Sequence, residues 1–237
     1  MMNDQKNGGK CMREHLNIAI DGPSGAGKST LAKAVASALQ IRYLDTGSMY
    51  RAMALFAIRR GVSVSDEAGL KTILDDADIR VRYDERGQRV LIGEEDVTDI
   101  LRTQELAMGA STVSAHPCVR EKLAELQREV GRNYDVVMDG RDITTNVLPH
   151  TKHKFFVTAS PEIRAERRLK ELRARGSMQE TYEQVLADIK LRDHNDSTRA
   201  YMPLRQTEDA MRIDTSEMTT DEALAVLLRT VAEKQDR

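Results

Sequence analysis

Apolar and polar positions along this chain change period from two to about 3.6 and back again, the mark of strands alternating with amphipathic helices. Leu16 to Ile20 is a short apolar run closed by Asp21 and Gly22, and from Ser29 onward Leu31, Val35 and Leu39 recur at helical spacing. This predicts a strand, a Gly-rich turn and a helix. Short apolar runs return at Asp135 to Asp139, Lys154 to Thr158 and Met211 to Asp214, separated by helix-like stretches. Strands joined in this way imply a parallel sheet flanked by helices, an α/β fold.

Boundary residues sharpen the helices. Ser160 and Pro161 supply an N-cap and a first-turn proline, Gly176 stops that helix, and Ser177 with Glu180 predicts a capping box for the next. Thr219 with Glu222 opens the C-terminal helix, and Pro117 starts one whose apolar stripe is Val119, Leu123, Leu126 and Val130. From Asp78 to Val97 the period falls to two: Ile79, Val81 and Tyr83, then the polar turn Asp84 to Gly87, then Val90 and Ile92. This is a small antiparallel hairpin, placed in a lobe inserted over residues 62–115.

Composition narrows the class. The 237 residues are 40% hydrophobic and 31% charged with 14 Gly and 5 Pro, which excludes collagen-like and disordered readings. Lys and Arg number 36 against 38 Asp and Glu, so no global field draws in nucleic acid or an anionic membrane, and 4% aromatics leave few stacking platforms. Cys11 and Cys118 form neither a disulfide framework nor a metal-ligand spacing, pointing to free thiols in the cytoplasm. No apolar run approaches the roughly 20 residues of a spanning helix. Residues 1–15 read as a disordered extension ahead of one domain, 16–237. The histidines, His150 and His153 included, are expected at the surface, and Met49, Met53 and Met108 as fillers of core gaps.

The chemistry begins at Gly22-Pro23-Ser24-Gly25-Ala26-Gly27-Lys28-Ser29-Thr30, a full phosphate-loop pattern between a strand and a helix. Its glycines let backbone N–H groups face the β-phosphate of a nucleotide, Lys28 adds a compact charge toward the β- and γ-phosphates, the helix N-terminus adds its dipole, and the Ser29 hydroxyl suits Mg²⁺. Asp139, ending the strand at 135–139, stands where a carboxylate can hold a Mg²⁺-bound water. Gly140 follows it, so no adjacent Glu polarises water, and transfer to an acceptor is favoured over motor-type hydrolysis. No Asn-Lys-x-Asp tetrad for guanine is found.

Basic residues gather in further blocks. Thr46, Tyr50 and Arg51 lie on a strand-to-helix turn able to seat a second phosphate, or to be an ordinary capped helix start. Arg141 and Asp142 follow Gly140 at the carboxyl edge of the sheet, where ligands bind in open α/β folds. Arg192, Asp196 and Arg199 share one helical face, as a ligand set or as an intrahelical ion-pair stripe. Between Ser160 and Gly176, Arg164, Arg168 and Arg175 share a side, which suits a flap closing over polyphosphate.

Together the blocks IDGPSGAGKST (Ile20 to Thr30), LDTGSMYR (Leu44 to Arg51), LRTQE (Leu101 to Glu105), VVMDGRD (Val136 to Asp142) and RDHNDSTR (Arg192 to Arg199) resemble bacterial cytidylate kinases, P-loop nucleoside monophosphate kinases. The resemblance implies a P-loop α/β fold with a monophosphate-binding lobe and a helical lid near 160–180, and transfer from ATP with Mg²⁺ to CMP or dCMP. It also implies that Arg51 and Arg141 hold the acceptor phosphate, that Ser111, Arg120, Asp142 and Arg199 surround cytosine, and that Arg192 and Asp196 meet the pentose. Lys28, Arg141 and Arg199 would serve the transfer itself. A cytoplasmic monomer without nucleic-acid or membrane partners is expected. Thr144 and Asn146 stand where the family commonly has Gly and Val or His, and Asn195 and Ser197 replace residues that are often basic. A kinase for UMP or another small acceptor, and a nucleotide-dependent binding switch, are the alternatives; only the switch predicts slow hydrolysis with no phosphorylated acceptor.

Overall fold

The computed structural model describes residues 15–174, 176 and 178–235. The expected N-terminal extension, apart from His15, lies outside the described residues, as do Cys11, Arg175 and Ser177. In chain order come β1 (Asn17–Asp21), α1 (Lys28–Leu39), β2 (Arg42–Asp45), α2 (Thr46–Arg59), α3 (Glu67–Ile73), β3 (Ile79–Asp84), β4 (Gly87–Ile92) and β5 (Glu95–Asp96). Then follow α4 (Gln104–Val113), α5 (Pro117–Asn133), β6 (Val136–Gly140), β7 (His153–Thr158), α6 (Pro161–Ala174), α7 (Tyr182–Thr198), β8 (Met211–Asp214) and α8 (Thr220–Gln235). A π-helical turn, Ile143–Val147, joins β6 to β7.

The parallel sheet has the order β2-β6-β1-β7-β8. Its central strands are apolar on both faces because helices cover both. On one face Leu31, Val35, Leu227 and Val231 pack against Ile18, Ile20 and Phe155; on the other, Met49, Met53, Leu123 and Leu148 pack against Ala19, Val136 and Met138. Leu70, Ile79 and Val90 of the segment around the hairpin belong to this second cluster. Strand register decides where the chemistry sits: Asp45 lies opposite Asp139, and Asp21 opposite Gly140. Three carboxylates thus end at one edge of the sheet.

The hairpin is present, with Asp84 opposite Gly87 and a two-residue turn between them, and it gains a third strand, β5, which hydropathy did not indicate because both of its residues are charged and exposed. Gln88 ties the hairpin to the sheet: its Oε1 accepts from Asp45 N at 2.6 Å and its Nε2 donates to Ser48 Oγ at 2.9 Å. Arg42 lies against the rings of Tyr83 and Tyr134, 4.7 and 3.3 Å from their centroids, a cation–π clamp between β3, β2 and the end of α5.

Several local expectations change. The helix after Gly176 opens at Tyr182, not near Ser177, since Thr181 and Gln184 form the reciprocal capping box. Met108 is 62% exposed on α4, whereas Met49 and Met53 are buried as expected. His153 is buried, because β7 places it on an interior strand where burial holds its imidazole below the usual histidine range.

Candidate active site

The phosphate loop takes its shape from close approach. A Cβ on Gly22 would lie 1.9 Å from the carbonyl oxygen of Val157, so only glycine lets β1 turn there beside β7. Gly27, at φ +85°, is the left-handed N-cap of α1. Lys28 is buried and its Nζ donates to Pro23 O at 2.7 Å. Burial, then the nearby Arg141, pushes its ammonium down to about 7, against the pull of Asp139.

Beside the loop, Ser29 Oγ donates to Asp139 Oδ2 at 2.8 Å. Tyr43 OH donates to the other oxygen, Oδ1, at 2.8 Å, and Thr46 Oγ1 caps the Asp139 carbonyl at 2.7 Å. Burial and Asp45 raise the Asp139 carboxyl, with Lys28 opposing. A hydroxyl and a carboxylate at the mouth of a phosphate loop are hard oxygen donors, the set that fits a small divalent cation bound mostly through phosphate and water. Gly140 is sterically required: a Cβ would lie 2.7 Å from Ile143 Cδ1 and 2.8 Å from Thr46 Oγ1.

Next along the edge lies a dense arginine cluster. Arg141 Nε donates to Asp196 Oδ2 at 2.8 Å, and Arg199 Nη1 lies 3.8 Å from Asp196 Oδ1. Against burial, which pushes it up, Arg141 and the neighbouring arginines hold the Asp196 carboxyl below the carboxylate range. Burial, then Arg141, brings Arg192 down to about 10, and Arg51 and Arg168 add to that repulsion. Arg51 Nη2 pairs with Asp45 at 2.7 Å. Arg51 Nε, Arg192 Nε and Arg199 Nη2 are buried donors without a hydrogen-bond partner. Like charges crowded in a dry site with unspent donors call for an anion.

Farther in, Arg120 Nη2 meets Asp142 Oδ1 at 2.5 Å, both side chains almost fully buried, and Arg120 lies 5.6 Å from the ring centroid of Tyr50. Burial raises the Tyr50 hydroxyl to about 12, and both Asp142 and Arg199 act on it, which places these groups together. Ser111 joins through the backbone: its carbonyl accepts from Ser114 Oγ at 2.8 Å, and the Ser114 carbonyl accepts from Arg120 Nη1 at 3.0 Å. Sequence-expected residues from α1, α2, α4, α5, β6 and α7 thus converge on one edge.

Arg164 is not a flap residue: it is buried, pairs with Asp193 at 2.6 Å and donates to Ser24 O at 3.1 Å, bracing α6 and α7 against the outside of the phosphate loop. Arg168, about a third exposed, keeps the outward position. Asp193 lies inside the Arg192 to Arg199 block but has no role there that spacing alone assigns, and Tyr43 belongs to no pattern with a recognisable spacing. Asp21 was visible only as the end of a strand, yet it accepts from Ile143 N at 3.0 Å, Thr144 N at 2.7 Å and Thr144 Oγ1 at 2.6 Å.

Comparison with known proteins gives this constellation a family. A model described as Cytidylate kinase matches residues 18–233. The chain is 44% identical over 221 residues to the cytidylate kinase of Carboxydothermus hydrogenoformans, covering 93% of this chain and 99% of that one. It is 46% identical over 219 residues to that of Halalkalibacterium halodurans, covering 92% and 98%. With the cytidylate kinase of Anoxybacillus flavithermus it shares 45% over 223 residues, 94% and 99% of the two chains. A phosphate loop facing an arginine cluster across the carboxyl edge of a parallel sheet, matched over nearly the whole length, makes this chain a member of the cytidylate kinase family.

Proposed function

We propose that this chain transfers the γ-phosphoryl group of ATP to CMP or dCMP, forming ADP and CDP or dCDP. The observation that carries the acceptor's identity is the buried Arg120–Asp142 pair beside Tyr50 and Arg199. Cytosine offers an N4 amino donor next to the N3 and O2 acceptors, which a carboxylate and guanidinium groups complement. Uracil turns N4–H into a carbonyl, which would face the Asp142 carboxylate acceptor to acceptor.

In this reading the phosphate-loop amides from Gly22 to Thr30 and the Lys28 ammonium hold the donor's phosphates, while Arg51 and Arg141 hold the acceptor phosphate. Arg192 and Asp196 bind the pentose; Thr46 and Tyr50 shape the floor; Ser111, Arg120, Asp142 and Arg199 surround the base. Lys28, Arg141 and Arg199 neutralise charge on the transferring group, the principal demand of phosphoryl transfer. An oxygen of the acceptor phosphate forms the new bond to Pγ as the bond to the β-bridging oxygen breaks. That oxygen is already anionic, so no general base is needed. Ser29, and Asp139 through water, would hold Mg²⁺, which would supply further neutralisation when bound. In this reading the working unit is a monomer, and the sparse cysteines support a reducing cytoplasmic setting.

The test is an assay of the purified chain with ATP, Mg²⁺ and each nucleoside monophosphate in turn, reading ADP and the product nucleotide. CMP and dCMP should exceed UMP by at least about tenfold in kcat/KM. Equal rates with all acceptors, or ADP release without a phosphorylated acceptor, contradict the proposal.

A further inference from the structure

We propose that Asn146 is a positioning residue that selects the base by fixing the orientation of the Asp142 carboxylate; this rests on the cytosine reading above. Asp142 lies two residues beyond β6 and caps the π-helical turn, whose tightness brings residue 146 back over it: Asn146 N donates to Asp142 O at 2.9 Å and Asn146 Nδ2 donates to Asp142 Oδ2 at 3.1 Å. Arg120 holds the other carboxylate oxygen, Oδ1, at 2.5 Å. A hydrogen bond from Asn146 on one oxygen and the Arg120 ion pair on the other remove the free rotation that a terminal carboxylate otherwise has, and leave a lone pair on each for a ligand.

The direction of the Asn146 amide is itself set. Arg128 Nη2 donates to Asn146 Oδ1 at 2.8 Å, and its guanidinium also reaches Asn146 O at 3.3 and 3.4 Å. A guanidinium has no acceptor, so the amide oxygen must face Arg128, and the NH₂ must face Asp142. Glu125 holds Arg128 from the far side, Oε2 accepting from Nη1 at 3.2 Å. The result is a relay, Glu125 to Arg128 to Asn146 to Asp142 to Arg120, that presents Asp142 purely as an acceptor. An amino group on the base is rewarded by that arrangement and a carbonyl is not.

The experiment measures kcat and KM for CMP and for UMP, the KM for ATP, and thermal unfolding in the wild type, Asn146→Val, Arg128→Met and Asp142→Ala. Asn146→Val should raise the KM for CMP roughly tenfold and lower the CMP to UMP ratio of kcat/KM by the same factor, with kcat and the KM for ATP close to wild type. Arg128→Met, which frees the amide to flip, should move the same ratio in the same direction by about threefold. It carries the test even where the valine variant fails to fold. If both variants keep the ratio while Asp142→Ala lowers it, the positioning role is overturned and the cytosine reading stands. Reduced thermal stability with an unchanged ratio marks a merely structural residue and overturns it equally. If Asp142→Ala itself leaves the ratio unchanged, the cytosine reading fails and this proposal falls with it.

Discussion

Thr144 Oγ1 donates a 2.6 Å hydrogen bond to Asp21 Oδ2, joining the entrance of the phosphate loop to the turn that follows Arg141 and Asp142. With the two backbone amides of Ile143 and Thr144 it gives a fully buried carboxylate three donors. Burial pushes the Asp21 carboxyl up while those hydrogen bonds pull it down. Asp21→Asn would set an amide NH₂ against backbone N–H groups and should destabilise the fold by about 3 kcal/mol. Thr144→Val, losing one donor of three, should cost about 1 kcal/mol. Urea unfolding should reproduce that order.

Lys28→Met should abolish transfer with the fold intact, as judged by circular dichroism. The same side chain gives a pH signature. Its folded value is about 7 against an ordinary 10.5, so between those values the unfolded chain binds more protons, and stability should rise with pH across that window. Below about 7 the fold bears the whole penalty. Lys28→Met should remove that slope. Polyphosphate restores the charge, so ATP binding at pH 8 should take up a proton, seen as buffer-dependent heats in calorimetry and absent from Lys28→Met.

Asp196→Ala leaves Arg141, Arg192 and Arg199 crowded without their shared counter-charge. The expected results are a loss of about 3 kcal/mol in unfolding free energy and a KM for CMP raised about tenfold or more, with the KM for ATP changed far less. Steady-state kinetics with each substrate varied in turn separates the two.

Gly140→Glu places a carboxylate after Asp139 but does not create a hydrolase, because its Cβ collides with Ile143 and Thr46. The variant should lose about 2 kcal/mol of stability and show no gain in ATP turnover without acceptor. A stable, faster ATPase would show that the steric reading of this turn is wrong.

The phosphate loop, the alternation of strand and helix and the hairpin were legible because each is a local pattern: a fixed spacing or a sustained period. The acidic and basic blocks were legible as candidates, but their partners were not. Arg164 read as one of an outward stripe, yet Asp193 and the Ser24 carbonyl draw it inward, a pairing that depends on how α6 and α7 cross. Likewise Asn146 and Thr144 were visible only as departures from a family pattern, and their hydrogen bonds depend on a π-helical turn that no period announces. β5 is too short and too charged to leave a hydropathy trace. His153 and Met108 exchanged expected places, one drawn into a strand interior and the other left on the solvent side of α4.

In the proposed reading two anionic nucleotides are held end to end, one by the phosphate loop and one by the arginine cluster. Its most direct test is the calorimetric Kd of a bisubstrate ligand in which adenosine and cytidine are joined through five phosphates. The account predicts binding well over tenfold tighter than ATP or CMP alone, weakened strongly by either Lys28→Met or Arg141→Met. Binding no tighter than ATP, and indifferent to Arg141→Met, would contradict it.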